Sequence, residues 1–98
     1  MIFMVQCFDK PNALDVRLAN RPAHLEYLQS LGDSLLLAGP IMSSVDDMTP
    51  QGSLILIDVK DSATAHAFTK NDPYAHANLF EKVVIKPWVA AVGSWKPT

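Results

Sequence analysis

The stretch IFMVQCF, residues 2–8, decides the fold, because six of its seven side chains are apolar. Successive side chains of a strand point to opposite faces of a sheet. The apolar residues alternate between the two faces, with Phe3, Val5 and Cys7 on one and Ile2, Met4 and Phe8 on the other. A strand that is apolar on both faces is covered on both. The sequence therefore predicts that residues 2–8 form a strand that is covered on both faces.

Further apolar runs predict three more strands, at residues 34–42, 53–59 and 81–90. The pair Gly39-Pro40 predicts a bend or bulge near the end of the second strand. Pro87 cannot donate a ladder hydrogen bond, which assigns the last strand to an edge or places this residue at its end. The four glycines are isolated, and we interpret them as turn or bulge residues rather than as a phosphate-binding loop.

Two helices lie between these strands. Pro22 is tolerated only near the start of a helix, so a short helical segment from Ala13 should precede a main helix over 21–31, with Asn20 as its N-cap. Gly32 supplies the left-handed residue that ends this helix. Its buried stripe is expected to consist of Leu25, Leu28 and Leu31, with His24 at the edge of the stripe.

The second helix is expected over 63–70, capped by Asp61 or Ser62, with Ala67 and Phe68 facing inward. Asp72 before Pro73 has the pattern of a second helix start, N-cap followed by N1, and predicts a short turn through Leu79.

The resulting order β-α-β-β-α-β is the ferredoxin-like arrangement, an α+β fold that makes residues 1–98 a single domain. Both helices then cover one face of a four-stranded antiparallel sheet. The other face stays apolar and needs a cover that this chain does not contain. We therefore expect a homodimer through the helix-free face, in which Trp88 and Trp95 serve as packing or interface groups.

Composition excludes several functional classes. The chain is 49% hydrophobic and 18% charged, its net charge is −2, and its basic residues are scattered, so neither nucleic acid nor an anionic membrane is an expected partner. No apolar run approaches the roughly 18 residues of a membrane-spanning helix, and the N-terminus lacks the pattern of a signal peptide. The single cysteine, Cys7, cannot form an internal disulfide and fits a reducing cytoplasm.

Topology predicts that two distant titratable residues meet. The first helix begins where the first strand ends, and the second helix runs back toward that end because the fourth strand must start there. His24, placed near the start of the main helix, and Asp72, placed after the second helix, should therefore lie together at one end of the domain.

Five short motifs, in order along the chain, resemble those of the YciI-like (YCII-related) family. They are RPAHLEYL at 21–28, LLLAGP at 35–40, Gly52-Ser53, NDPY at 71–74 and Lys86-Pro87. The resemblance spans almost the whole chain and implies a dimeric α+β barrel related in fold to muconolactone isomerase. It also implies a His-Asp site that maps onto His24 and Asp72. At least one protein of this type is a dehydrochlorinase acting on a chlorinated hydroxyhydroquinone.

Each candidate site residue has a functional and a structural interpretation. His24 is a natural proton carrier near neutral pH, or a side chain satisfied by a local hydrogen bond. Asp72 could orient that imidazole while also capping a helix, since a carboxylate has two oxygens. Arg21, three residues before His24, could hold a substrate oxyanion, or it could form an ion pair with Asp15, Asp72 or Glu81. Tyr74 could donate a hydrogen bond to a ligand or serve in packing.

The sequence thus favours a small cofactor-independent enzyme of the isomerase or lyase type, with catalytic His24 and Asp72 and substrate-binding Arg21 and Tyr74. Its substrate would be small and anionic or derived from an aromatic compound. No dinucleotide, phosphate-loop or metal-ligand spacing is present, and His66 and His76 form no ligand set with His24. The alternative is a non-catalytic module that binds a small ligand. A preformed cavity of roughly a few hundred cubic ångströms beside His24 would favour the enzyme, whereas a filled core with His24 bonded to backbone would favour the module.

Overall fold

The structure, a computed structural model, describes residues 1–95. The elements follow in the expected order, with one addition. They are β1 (Ile2–Asp9), α1 (Leu14–Gln29), β2 (Leu35–Met42), β3 (Pro50–Asp58), α2 (Ser62–Lys70), α3 (Pro73–His76) and β4 (Phe80–Pro87). The one-turn helix α3 occupies the place of the turn predicted after Asp72. A 3₁₀ turn over Gly32–Ser34 connects α1 to β2.

The four strands form one antiparallel sheet in the order β2-β3-β1-β4, which is the ferredoxin-like topology. β1 is a central strand of this sheet, between β3 and β4. Its buried face, together with Ile55 and Ile57 of β3, packs against Leu28 of α1 and Ala65 and Phe68 of α2. Both long helices therefore cover the same face of the sheet, and the chain has the predicted α+β fold.

The helix α1 is continuous, which corrects the expected break at Pro22. Asn20 is no N-cap: its side-chain amide donates a hydrogen bond to the carbonyl of Val16, one turn back in the same helix. Pro22 removes one helical hydrogen bond. The helix continues because Arg17 and Leu28, on either side of Pro22, are both buried against the same sheet. Gly32 has the predicted positive φ, +58°, just after the helix.

Burial corrects two assignments on the helices. Leu25, expected in the buried stripe, is exposed, whereas His24, expected at its edge, is only 5% exposed. In α2 the inward residue beside Phe68 is Ala65 rather than Ala67. The cap of α2 is Asp61, whose carboxylate accepts a hydrogen bond from the backbone N–H of Thr64.

Two strand details also differ from the prediction. The register of β2 against β3 shifts near Leu35–Leu37 and Ile41–Met42, and not at Gly39-Pro40, which pair regularly at the sheet edge. Gly52, interpreted as a turn or bulge residue, lies inside β3 opposite Phe8. A Cβ at Gly52 would lie 2.5 Å from the carbonyl oxygen of Cys7, so only glycine allows the two strands to pair this closely.

The helix-free face of the sheet exposes large apolar side chains, among them Leu37 of β2 and Leu54 of β3. The segment after β4 lines the same surface with Trp88, Val92 and Trp95. Through residue 95, the chain contains no helix with the length and apolar character needed to cross a membrane.

Candidate functional site

His24 and Asp72 are in direct contact. The Nδ1 atom of the imidazole lies 2.9 Å from each carboxylate oxygen of Asp72. Both side chains are almost completely buried. The contact expected from the sequence is therefore present in the structure, between residues 48 positions apart.

The route to this contact differs from the one expected. His24 lies in the third turn of α1 and not near its start. Asp72 reaches it because α3 packs along α1. Asp72 is the N-cap of α3, and its Oδ1 accepts the backbone N–H of Tyr74 at 2.9 Å. The predicted cap and the contact with His24 thus coexist in one carboxylate.

This arrangement fixes the orientation of the imidazole. A carboxylate can only accept hydrogen bonds, so Nδ1 of His24 carries the hydrogen and donates it to Asp72. The other ring nitrogen, Nε2, makes no hydrogen bond within residues 1–95. Nε2 is therefore the atom available to a ligand, and its lone pair can accept a proton.

Tyr74 forms one side of the site. Its ring stacks on that of His24 with centroids 3.8 Å apart and planes 13° from parallel. Burial raises the pKa of the Tyr74 phenol, with a smaller opposing effect from the positive charge of Arg17. Tyr74 is therefore a neutral hydroxyl at physiological pH, and its ring is a packing surface for the imidazole.

Arg17 is the main residue of the site that the sequence analysis did not identify. It is 4% exposed, and its guanidinium forms a bidentate ion pair with Asp9, with Nε–Oδ2 2.6 Å and Nη2–Oδ1 2.9 Å. Nη2 also donates to Ser53 Oγ at 3.0 Å, and the guanidinium carbon lies 4.7 Å from the centre of the Tyr74 ring. The signal was available: Arg17 precedes His24 by seven residues and Leu28 by eleven, so it lies on the helix face that carries both of them.

A cavity of about 180 Å³ opens beside His24, between α1 and the strands β2 and β3. A cavity of about 150 Å³ is large enough to hold benzene, so this one accommodates a single small ring. Its polar lining comes from Arg17, Arg21, His24, Ser53 and Tyr74. Three of the four predicted site residues therefore line it, and the fourth, Asp72, lies behind His24.

Arg21 lies exposed at the rim of this cavity. The alternative considered for it, an ion pair with Asp15, Asp72 or Glu81, is not formed in the part of the chain that the structure describes. Its guanidinium can therefore approach a ligand from the solvent side.

The remaining reactive groups lie elsewhere or are inert. Burial, followed by the negative charge of Asp72, raises the pKa of the Cys7 thiol to about 12, so it is not a thiolate at neutral pH. His66 is exposed on α2, with Nδ1 bonded to the carbonyl of Ser62. Across residues 1–95, no group of three or more His, Cys, Asp or Glu side chains is arranged to hold a metal ion.

Sequence comparison relates the chain to known proteins along most of its length. A family model described as a YCII-related domain matches residues 1–89. Protein YciI of Escherichia coli O6:H1 is 38% identical over 95 residues, covering 90% of this chain and 96% of that protein. An uncharacterized protein of Haemophilus influenzae is 33% identical over the same shares.

Structural comparison leads to an enzyme with a bound ligand. The structure of TftG, the 5-chloro-2-hydroxyhydroquinone dehydrochlorinase of Burkholderia phenoliruptrix AC1100, in complex with 2,5-dihydroxybenzoquinone, superposes with a TM-score of 0.85. It is 31% identical and covers 93% of this chain and 96% of its own. An antibiotic biosynthesis monooxygenase superposes with a TM-score of 0.52 at 16% identity, covering 91% of this chain and 99% of its own, and shares the fold alone.

Proposed function

The chain belongs to the YCII-related family, and from this premise we propose that it is a small cofactor-independent enzyme of the isomerase or lyase type. His24 transfers a proton on a small oxygenated ring, and Asp72 orients its imidazole. The observation that carries the proposal is the pairing of a bonded Nδ1 with an available Nε2 at the wall of a ring-sized cavity. The likeness to TftG at 31% identity supports the same class of chemistry.

The proposed role of Asp72 follows from charge. When Nε2 takes a proton, the imidazole becomes a cation whose Nδ1–H already points at a carboxylate. The buried negative charge stabilises this cation, as the orienting carboxylate does in catalytic triads. Asp72 therefore keeps the hydrogen on Nδ1 and keeps the ring from rotating between steps.

Elimination of HCl from a chlorinated hydroxyhydroquinone needs only proton movements. A ring hydroxyl loses its proton to Nε2 of His24, which returns it to the chlorine-bearing carbon and leaves a ketone at the oxygen. A second hydroxyl then loses its proton, its electron pair forms a carbonyl, the double bond shifts, and chloride departs. The products are a hydroxybenzoquinone and HCl, so the balance requires no oxidant. Isomerisation uses the first half of this sequence alone.

The two other predicted residues act on the substrate in this proposal. Arg21 at the rim attracts and holds a negatively charged oxygen through its guanidinium. Tyr74 lines the cavity with a neutral hydroxyl that can donate a hydrogen bond, and its ring keeps the imidazole in plane.

The protein is further proposed to act as a homodimer through the helix-free face of the sheet. Leu37 and Leu54 are each more than 40% exposed there, although they lie in the interior of their strands. Large apolar side chains in such a position are typical of an interface. A dimer of this kind leaves the cavity on the opposite face, between α1 and the sheet, accessible to substrate.

The proposal is tested by assaying the wild-type protein with two compounds that have the same trihydroxybenzene ring, one with chlorine and one without. With 5-chloro-2-hydroxyhydroquinone, the proposal predicts saturable release of chloride. With hydroxyhydroquinone in D₂O, it predicts exchange of ring hydrogen for deuterium, which NMR detects. Binding of 2,5-dihydroxybenzoquinone is measured in parallel by calorimetry. A protein that binds this quinone but turns over neither compound would contradict the enzyme and support the non-catalytic ligand-binding module.

A further inference from the structure

The buried guanidinium of Arg17 has unused hydrogen-bonding capacity. Its Nε and Nη2 atoms are taken by Asp9 and Ser53. Its third nitrogen, Nη1, makes no hydrogen bond within residues 1–95, although the residue is 4% exposed. A guanidinium carries five N–H groups, and two of them are those of Nη1. Because Arg17 lines the cavity, these two donors are available there.

Ser53 adds a donor next to them. Its Oγ accepts a hydrogen bond from Nη2 of Arg17, and its own O–H donates no hydrogen bond within residues 1–95. Ser53 is buried in β3 and lines the same cavity. The paired β1 strand, which Gly52 allows to approach closely, keeps the serine in place. The end of the cavity near Arg17 and Ser53 therefore offers the two N–H groups of Nη1 and a hydroxyl that can donate.

Asp9 makes this group a rigid donor. Its two oxygens hold Nε and Nη2 in a bidentate pair that fixes the plane of the guanidinium, and Nη1 projects away from it. The ion pair also balances the buried charge, so Arg17 can remain in the cavity wall without a ligand. Asp9 is thus a positioning residue for Arg17, as Asp72 is for His24.

We infer that Arg17 and Ser53 form an oxyanion-binding subsite for the ring oxygen of the substrate that lies away from His24. This inference rests on the proposed function and names its substrate class: a small ring with an ionised hydroxyl or enolate oxygen on the side opposite the carbon that receives the proton. Arg17 and His24 both contact the ring of Tyr74, so the subsite and the imidazole lie near one another in the wall of the same cavity. Donors fixed in place before the ligand arrives favour the form in which charge has built up on this oxygen.

Calorimetry with two quinones tests the subsite without requiring turnover. The ligand 2,5-dihydroxybenzoquinone has ionisable oxygens, and its dimethyl ether has the same ring with those oxygens capped. Removing Arg17 alone would leave Asp9 unpaired in a buried site and could unfold the chain. The variant is therefore the double substitution Asp9→Asn with Arg17→Gln, which keeps the pair neutral. The control is Lys70→Gln, which removes an exposed cation from α2.

The double variant should bind 2,5-dihydroxybenzoquinone about 10- to 100-fold more weakly, as expected for a lost charge-assisted hydrogen bond, and bind the ether as the wild type does. Ser53→Ala should weaken the same ligand by a smaller factor. Equal losses for both quinones would indicate a merely structural role and overturn the proposal. So would unchanged binding in the folded double variant, or no binding of 2,5-dihydroxybenzoquinone to the wild type at millimolar concentration. Binding without turnover would contradict the proposed function but leave the subsite standing.

Discussion

The carboxylate of Asp72 holds Nδ1 of His24 at 2.9 Å from both of its oxygens, and one of those oxygens also caps α3. One side chain thus joins the helix that carries the histidine to the turn that precedes β4. Any substitution at Asp72 therefore affects both the fold and the imidazole, and the two effects have to be measured separately.

The substitution Asp72→Asn should separate the effect on the fold from the effect on the imidazole. The amide oxygen can still accept the backbone N–H of Tyr74, so the free energy of unfolding should fall by about 1 kcal/mol or less. The imidazole loses its negative partner, and turnover should fall, but by less than the roughly 10²- to 10⁴-fold that loss of the proton-transferring group itself would cost. Asp72→Ala should cost more stability because it removes the cap as well. Denaturant unfolding and chloride-release kinetics on the same samples check both values. Unchanged turnover in the Asn variant would contradict the orienting role.

The phenols of Tyr27 and Tyr74 should ionise at a higher pH than an ordinary tyrosine does. Burial is the largest cause that raises the pKa of both Tyr27 and Tyr74. In each case the folded state keeps its proton to a higher pH than the unfolded state does. Their contribution to stability is therefore complete below the ordinary phenol pKa of about 10 and is lost as the pH rises through the folded value.

Phenolate absorbance measures this directly. The native protein should show little phenolate at pH 10, whereas the protein in denaturant should show about half of its two tyrosines ionised. The variants Tyr27→Phe and Tyr74→Phe each retain one tyrosine, so the phenolate absorbance of each variant belongs to a single residue. Phenolate in native Tyr27→Phe at or below pH 10 would contradict the burial of Tyr74.

The homodimer can be tested by placing charge on the helix-free face. Leu54→Lys should shift the protein from dimer to monomer in light scattering at micromolar concentration, because a buried ammonium without a partner is costly. Val45→Lys, in an exposed loop, is the control and should remain dimeric. A stable interface buries on the order of 1,000 Å² or more in total. A monomeric wild type would contradict the proposal.

Turnover should need no added cofactor. Protein treated exhaustively with a chelator and then desalted should release chloride at the rate of untreated protein, because the proposed steps use only protons carried by side chains. Loss of activity on chelation, with recovery on adding back one metal, would show that this expectation is wrong.

Much of the fold could be predicted from local patterns. The two-sided apolar strand, the cap at Asp72 and the left-handed Gly32 each depend on neighbouring residues, and each is present in the structure. The break at Pro22 was predicted wrongly because local propensity was overridden by packing: both halves of α1 lie on one sheet. The bulge expected at Gly39-Pro40 is absent because β2 is an edge strand, which tolerates proline without one.

The sequence predicted one part of the candidate site, the contact of His24 with Asp72, but not the part formed by Arg17. The contact of His24 with Asp72 followed from topology, although the actual route runs through α3. Arg17 was missed because an arginine on a helix is normally exposed. Its burial depends on hydrogen bonds to Asp9 of β1 and Ser53 of β3, two strands that are far apart in sequence. A partner set of that kind appears only when the chain is folded.

The central claim is that His24 moves the proton, and the rate of chloride release from 5-chloro-2-hydroxyhydroquinone tests it most directly. His24→Gln removes the imidazole, and His66→Gln removes a histidine that is exposed on α2. Because His24 is buried and stacked on Tyr74, both variants are first shown to be folded at the assay temperature. The account predicts that kcat/KM falls by about 10²- to 10⁴-fold in His24→Gln and stays at the wild-type value in His66→Gln. A folded His24→Gln protein that releases chloride at the wild-type rate would contradict it.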